Sequence, residues 1–208
     1  MKDEDKITIV SRYQNRLSEY GPGIQALASG STERRDTRFN VLSSIGDLQG
    51  CRLLDLGCGL GDFYAWLQKI GIVVDYTGYD ITPELVDFAA ERFPEADFEV
   101  RDIQTEGIQE SFDFIVSSQT FNNRLSHDDN FDVMKEVLQI CYDACDKAVA
   151  IDMMTTYVDF QEKHLHYYQP EAVFSYAKTL TKRVSLRHDY PAFEFVIILY
   201  KDFSGRKT

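Results

Sequence analysis

A chain of 208 residues with 44% hydrophobic and 13% aromatic content carries enough apolar material for one well-cored domain, which excludes a disordered or fibrous polypeptide. Its 34 acidic residues outnumber 22 basic ones, and the net charge of −12 disfavours nucleic acid and anionic membrane surfaces as partners. No apolar run approaches the length needed to cross a bilayer, and the charged opening MKDEDKITIV lacks the apolar core of a signal peptide, so a cytoplasmic location is expected.

In chain order, Ile7, Ile9, Val10, Tyr13, Leu17 and Tyr20 recur at roughly helical spacing, and Tyr20-Gly21-Pro22-Gly23 stops that helix. A second helix is expected from near Ser31 to about Ile45, with Phe39, Val41, Leu42 and Ile45 inward and Gly46 at its end. Cys51–Leu56 reads as a buried strand, Asp62–Ile70 as a helix and Val73–Tyr79 as a strand. Pro83–Arg92 is a helix opened by Thr82 as cap and Pro83 at the first position. Strands follow at Phe98–Arg101 and Phe112–Ser117, then an amphipathic helix at Phe131–Cys145, a strand at Lys147–Met153 and a helix at Pro170–Leu180. Val184–His188 and Phe193–Tyr200 close the chain as two strands joined by a short turn at Pro191.

The alternation of strand and helix implies an α/β fold, a doubly wound and mostly parallel sheet covered on both faces. Too few residues separate the last two strands for a crossover, so they pair as a C-terminal antiparallel hairpin. One domain is expected, with residues 1–48 as N-terminal cap helices, 49–203 as the core and 155–169 as a candidate lid, since long connections in compact domains are often functional. Cys51, Cys58, Cys141 and Cys145 fit reduced packing positions; Cys141 and Cys145 have no second ligand pair at zinc-like spacing, so no metal site is expected.

Ligands of an open parallel sheet gather beyond the carboxyl ends of its strands. The first strand ends in LLDLGCGLGDF, whose glycines let the backbone turn tightly and approach a ligand closely, and whose G-x-G-x-G spacing departs from the dinucleotide pattern G-x-G-x-x-G. The second ends in Gly78-Tyr79-Asp80, placing a carboxylate that can accept the hydroxyls of a ribose beside that loop. The third ends in Arg101-Asp102-Ile103, an acid and an apolar side chain suited to an adenine, and the fourth in Ser117-Ser118-Gln119.

LLDLGCGLGDF, YTGYDITPELVDFAAERFP, FEVRDI and FDFIVSSQTFN, in that order, resemble the class I S-adenosylmethionine-dependent methyltransferases, and the resemblance runs from about Cys51 to Tyr200. It implies S-adenosyl-L-methionine as cofactor, S-adenosyl-L-homocysteine as product, and a Rossmann-like core. It further implies that Gly57, Cys58, Gly59 and Gly61 line the methionine and ribose, and that Asp55 supports the loop and reaches the amino group through water; a strand-end residue that only caps the loop is the alternative reading of Asp55. Asp80 would hold the ribose hydroxyls with Ile81 against the adenine, Asp102 and Ile103 would meet the adenine edge and face, and Ser118 (or Ser117 or Gln119) would contact the methionine. Arg38 would pair with the cofactor carboxylate, with Arg34 and Arg35 as neighbouring alternatives.

A methyl donor of this kind needs no protein nucleophile, and a base only where the acceptor carries a proton of unsuitable pKa. His188, at the end of the penultimate strand, is the catalytic candidate, with the fixing of a turn as its alternative role. Tyr190 beside it is a candidate for the acceptor pocket, and Asn122, with Asn123 and Arg124, is a second. The acidic charge favours a small-molecule acceptor, methylated on oxygen or nitrogen. A cofactor-binding subunit without catalysis and a nicotinamide-dependent oxidoreductase are the competing readings.

Overall fold

The computed structural model describes residues 1–201; the expected core boundary at residue 203 lies outside them. The helices are α1 (Asp3–Tyr20), α2 (Thr32–Ser43), α3 (Asp62–Lys69), α4 (Pro83–Arg92), α5 (Ile103–Glu106), α6 (Asn130–Ala144) and α7 (Pro170–Leu180). The strands are β1 (Arg52–Leu56), β2 (Asp75–Asp80), β3 (Asp97–Val100), β4 (Phe112–Ser117), β5 (Cys145–Met154), β6 (Val184–Arg187) and β7 (Glu194–Tyr200). Among the described residues these strands form one sheet of order β3-β2-β1-β4-β5-β7-β6. Every pair from β3 to β5 is parallel, whereas β7 runs antiparallel to both β5 and β6. Strand order reverses between β1 and β4, which opens a crevice above their carboxyl ends.

Period-two alternation divides the interior into two cores. On β1, β4, β5 and β7, Leu54, Ile115, Val149 and Ile197 point to one face, where α6 and α7 cover them with Leu138, Cys141 and Val173. Leu53, Val116, Ala150 and Ile198 point to the other, where α2 and α3 supply Phe39, Leu42, Phe63 and Leu67. The central strands therefore carry apolar side chains on both faces, and burying each large one contributes about 1.5–3 kcal/mol. All four cysteines are free and buried.

Local chemistry sets the helix starts. Ser31 accepts from Arg34 N at 3.2 Å and so caps α2, while Asp129 accepts from Phe131 N and Asp132 N at 2.8 and 3.0 Å and caps α6. Thr82 departs from the expectation: its buried hydroxyl makes no cap bond, and its own N–H donates to Asp80 at 2.9 Å. The one-turn α5 was not legible as an element; the Asp102 carboxylate starts it by accepting from Gln104 N at 3.1 Å.

Helix α1 is held differently. Its one buried side chain is Asp5, whose carboxylate accepts the N–H groups of Ser126, His127 and Asp128 at 2.8, 3.0 and 3.0 Å. Lys6 pairs with Asp102 at 3.0 Å and Gln14 donates to Glu84 at 2.8 Å. Polar contacts thus hold α1 across the carboxyl rim of the sheet. Segment 155–169, the expected lid, packs against the turn after β4. It runs beside residues 121–124, with Arg124 N bonding His164 O at 3.0 Å and His166 N bonding Asn122 O at 2.9 Å, and only Tyr168 reaches the crevice. Among the described residues no helix is long and apolar enough to cross a membrane.

Candidate cofactor and acceptor site

The crevice between the two halves of the sheet is a cleft of about 1290 Å³ counting its open mouth. Its floor is the loop after β1. Gly57 has φ +74°, and a Cβ there would fall 2.1 Å from Thr120 Oγ1; only glycine permits both the backbone turn and the approach of Thr120. Gly57 N and Cys58 N are taken by Tyr79 O at 2.7 and 3.1 Å, which ties the loop to the end of β2.

Asp80 stands beside it. One oxygen accepts Gly59 N at 3.0 Å and the other Thr82 N at 2.9 Å, so the carboxylate joins the loop to α4 and keeps about two of its four lone-pair sites for a ligand. Burial raises its pKa against those two N–H donors, the Thr82 hydroxyl and the Ile81 N–H. Behind it Asp55 is buried and accepts the Tyr76 hydroxyl at 2.5 Å; burial, opposed by that bond and reinforced by Asp80 and Asp152, pushes it up to about 7. The Cys58 thiol is raised well above its ordinary value by burial and then by Asp80 and Asp55, so it stays protonated. Ile81, Ile103, Leu125, Val133 and Val137 form an apolar wall, and Asp102 lies at its edge, paired with Lys6.

The turn after β4 closes the other side. Gln119 has φ +62°, an uncommon conformation for a side-chain-bearing residue. Asp152 at the end of β5 holds it there, accepting Gln119 N and the Ser118 hydroxyl, each at 2.7 Å. Gln119 Nε2 donates to Glu194 at 3.1 Å and the Ser29 hydroxyl to Gln119 Oε1 at 3.3 Å. Burial raises Asp152 to about 6, with Arg38 opposing and Glu194 adding to the rise.

A family model described as a methyltransferase domain matches residues 53–143. A Mycobacterium tuberculosis protein, Rv1506c, provisionally named a methyltransferase, is 35% identical over 155 residues, which span 71% of this chain and 91% of that one. The chain belongs to the class I S-adenosylmethionine-dependent methyltransferases. The magnesium-protoporphyrin O-methyltransferase of Rhodobacter capsulatus is 37% identical over 109 residues, 49% of this chain and 47% of that one. The crystal structure of magnesium protoporphyrin IX methyltransferase from Synechocystis with bound SAM shares the fold, with a TM-score of 0.68 at 16% identity over 95% of this chain and 97% of that one.

Nine of the eleven cofactor positions expected of this methyltransferase line the cleft: Asp55, Gly57, Cys58, Gly59, Asp80, Ile81, Asp102, Ile103 and Ser118. Two do not. Gly61 is the left-handed N-cap of α3, packed against Phe93 and Phe98. Arg38 is turned inward, 3.6 Å from Glu194 and 4.0 Å from Asp152 and donating to Ser29 O at 3.1 Å; two buried acids on β5 and β7 claim it, so it does not face a ligand carboxylate.

Of the expected acceptor and base residues, His188, Tyr190 and Asn122 do not line the cleft of the methyltransferase, whereas Asn123 does. His188 does turn over the carboxyl rim, but β6 is the sheet edge, four strands from β1 and so roughly 19 Å away at the usual spacing. It sits exposed between Tyr157 and Phe195, in a separate shallow pocket with Glu171 and Leu186. Tyr190 faces Asp152, Glu194 and Arg38, its hydroxyl buried and unpartnered, and burial raises its pKa. Asn122 is buried, accepting Met154 N at 2.9 Å; its neighbour Asn123 lines the cleft instead. Sequence reasoning missed Asp152 and Glu194, although an acid inside the apolar runs AVAIDMM and FEFVIILY was a readable signal of a buried partner.

Proposed function

We propose that this chain transfers the methyl group of S-adenosyl-L-methionine to a small-molecule acceptor bound in the same cleft. The observation that carries the reading is Asp80, a carboxylate fixed to the glycine loop with lone pairs left for a ribose diol. In this reading Gly57, Cys58 and Gly59 face the methionine and ribose, Ile81 and Ile103 hold the adenine faces, Asp102 meets its edge, and Ser118 borders the methionine. Among the described residues Asp80 forms no ion pair, so its carboxylate favours a positively charged sulfonium at the floor.

When bound, the cofactor supplies an electrophilic methyl group. The protein supplies alignment and the exclusion of water, through the apolar wall and the strap α1. The lining of the cleft includes no histidine or lysine among the described residues, which favours an acceptor that reacts without a strong base. Gln119, Thr120 and Phe121 line the cleft beside the glycine loop and offer a bounded place for a small acceptor, and the net charge of −12 argues against nucleic acid. A single domain working in the cytoplasm fits this reading.

Calorimetric titration with S-adenosyl-L-methionine and, separately, with NADH tests the cofactor site. Incubation with methyl-labelled cofactor and a metabolite extract tests transfer. Saturable binding of the methyl donor and label on a small product are expected. NADH binding without S-adenosyl-L-methionine binding would sink the proposal.

A further inference from the structure

In this acidic protein Arg35, Arg38, Arg52, Arg92, Arg101 and Arg187 each form an ion pair with a carboxylate. Among the described residues Arg12, Arg16, Arg34 and Arg124 contact only neutral groups. Arg12 donates to Asn123 Oδ1 at 2.8 Å, and Arg16 to Ala26 O at 3.2 Å and to Gln25 O. Arg124 donates to Leu165 O at 3.1 Å, and Arg34 lies 4.2 Å over the ring of Phe193. Arg12, Arg16 and Arg34 are half-buried, which makes the missing counter-charge costly.

The four trace one rim. Asn123, Leu27 next to Ala26, and Ser29 line the cleft, and Asn123 also donates to Tyr13 of α1 at 3.3 Å. Phe193 meets Phe160 edge-on at 5.4 Å, and both rings are exposed, at 37% and 53%. Arg124 in turn bonds the backbone of His164. Burial first, and then Arg12 and Arg16 against Glu162, hold the His164 imidazole below its ordinary range, which puts both arginines within electrostatic reach of this point. Four arginines without an ion-pair partner among the described residues, and two exposed rings, thus stand beside residues that line the cleft, with Glu162 as a nearby acid, on a molecule whose overall charge repels anions.

We infer that the methyl acceptor is an organic anion with an apolar or aromatic body, its acidic group held at this rim by Arg12 and Arg16 and its body lying between Phe160, Phe193 and the cleft. The inference rests on the reading of the cleft as a joint donor and acceptor site. Guanidinium groups bind carboxylate or phosphate oxygens in parallel pairs, and the exposed rings offer flat apolar surface beside them.

The test uses the full chain saturated with S-adenosyl-L-homocysteine and two probes of one shape, 2-naphthoate and 2-naphthamide, followed by calorimetry or ligand-observed NMR. The acid should bind at least about tenfold more tightly than the amide, as expected for hydrogen bonds to a charged group. The preference should weaken with salt, vanish in the double variant R12Q/R16Q and largely survive in R12K/R16K. Circular dichroism and an S-adenosyl-L-methionine affinity within about twofold of the parent show that R12Q/R16Q is folded and its donor site intact. Equal affinity for acid and amide, or a preference that survives R12Q/R16Q, overturns the inference. A drop in donor affinity in R12Q/R16Q also overturns it, by assigning these arginines to the donor's own carboxylate. Failure of the parent chain to bind S-adenosyl-L-homocysteine at all would overturn the cleft reading itself, and the inference with it.

Discussion

Asp80→Asn separates two jobs that the carboxylate performs at once. Structurally it accepts Gly59 N at 3.0 Å and Thr82 N at 2.9 Å, and an asparagine side chain keeps one acceptor oxygen while turning an N–H group toward the other donor. Losing one charge-assisted bond of that kind costs about 1–3 kcal/mol. For a chain of this size that lowers Tm by about 2–12 °C, leaving the variant folded at room temperature. The second job is the proposed grip on the ribose, through the lone pairs that the two backbone donors leave free. Its loss should weaken S-adenosyl-L-methionine binding by a further 1–3 kcal/mol or so, about 5- to 150-fold in Kd. Calorimetric titration of both proteins with the cofactor and with its 2′-deoxy analogue tells the jobs apart. The parent should lose affinity for the deoxy compound, whereas the variant, its grip already gone, should lose little more. An unchanged affinity for S-adenosyl-L-methionine in a folded Asp80→Asn protein would refute the ribose assignment.

Gly57→Ala should cost at least about 1–2 kcal/mol from its left-handed backbone alone, with the 2.1 Å approach to Thr120 Oγ1 added, and should abolish cofactor binding; Thr120→Ala in the same chain should recover part of the Tm. Asp55 gives a pH dependence of defined sign. Its folded pKa of about 7 lies above the ordinary 3.8, so the native state keeps a proton that the unfolded chain releases. That contribution is complete below about pH 4 and fades as pH rises through 7. Asp55→Asn should therefore gain in Tm relative to the parent between pH 5 and 8, and a difference that stays constant across that range would contradict the buried, protonated carboxyl. Asp152, raised to about 6, acts in the same direction over a lower window.

The features legible in the sequence were those set by short-range rules. Glycines at the end of an apolar run, an acid at the end of the next strand, and Pro83 at a helix start placed the cleft floor, because strand ends and helix starts depend on neighbours in the chain. What was not legible depended on sheet order and side-chain direction. His188 turns over the expected rim, but the edge position of β6 takes it away from the cleft, and nothing local to Val184–His188 encodes that β7 intervenes. Asn122 and Asn123 are adjacent and chemically alike, and backbone alternation alone sends one into the protein and the other to the cleft. Arg38 followed the same logic: its partners Asp152 and Glu194 lie more than a hundred residues away and meet it only once β5 and β7 pair.

The division of the interior into two cores by one sheet gives the molecule a modular tolerance to change. Leu67 under α3 and Leu138 under α6 are both wholly buried, yet they belong to opposite faces and share no packing neighbour within their clusters. Substitutions on one face can be repacked by that face alone, since additivity holds where sites share no partners. The cleft is where this independence ends. Tyr79, Ile103 and Phe121 border it from one core, Phe39 and Phe63 from the other, so the two halves of the interior are free to drift apart in sequence everywhere except at the rim where they must close on the same ligand.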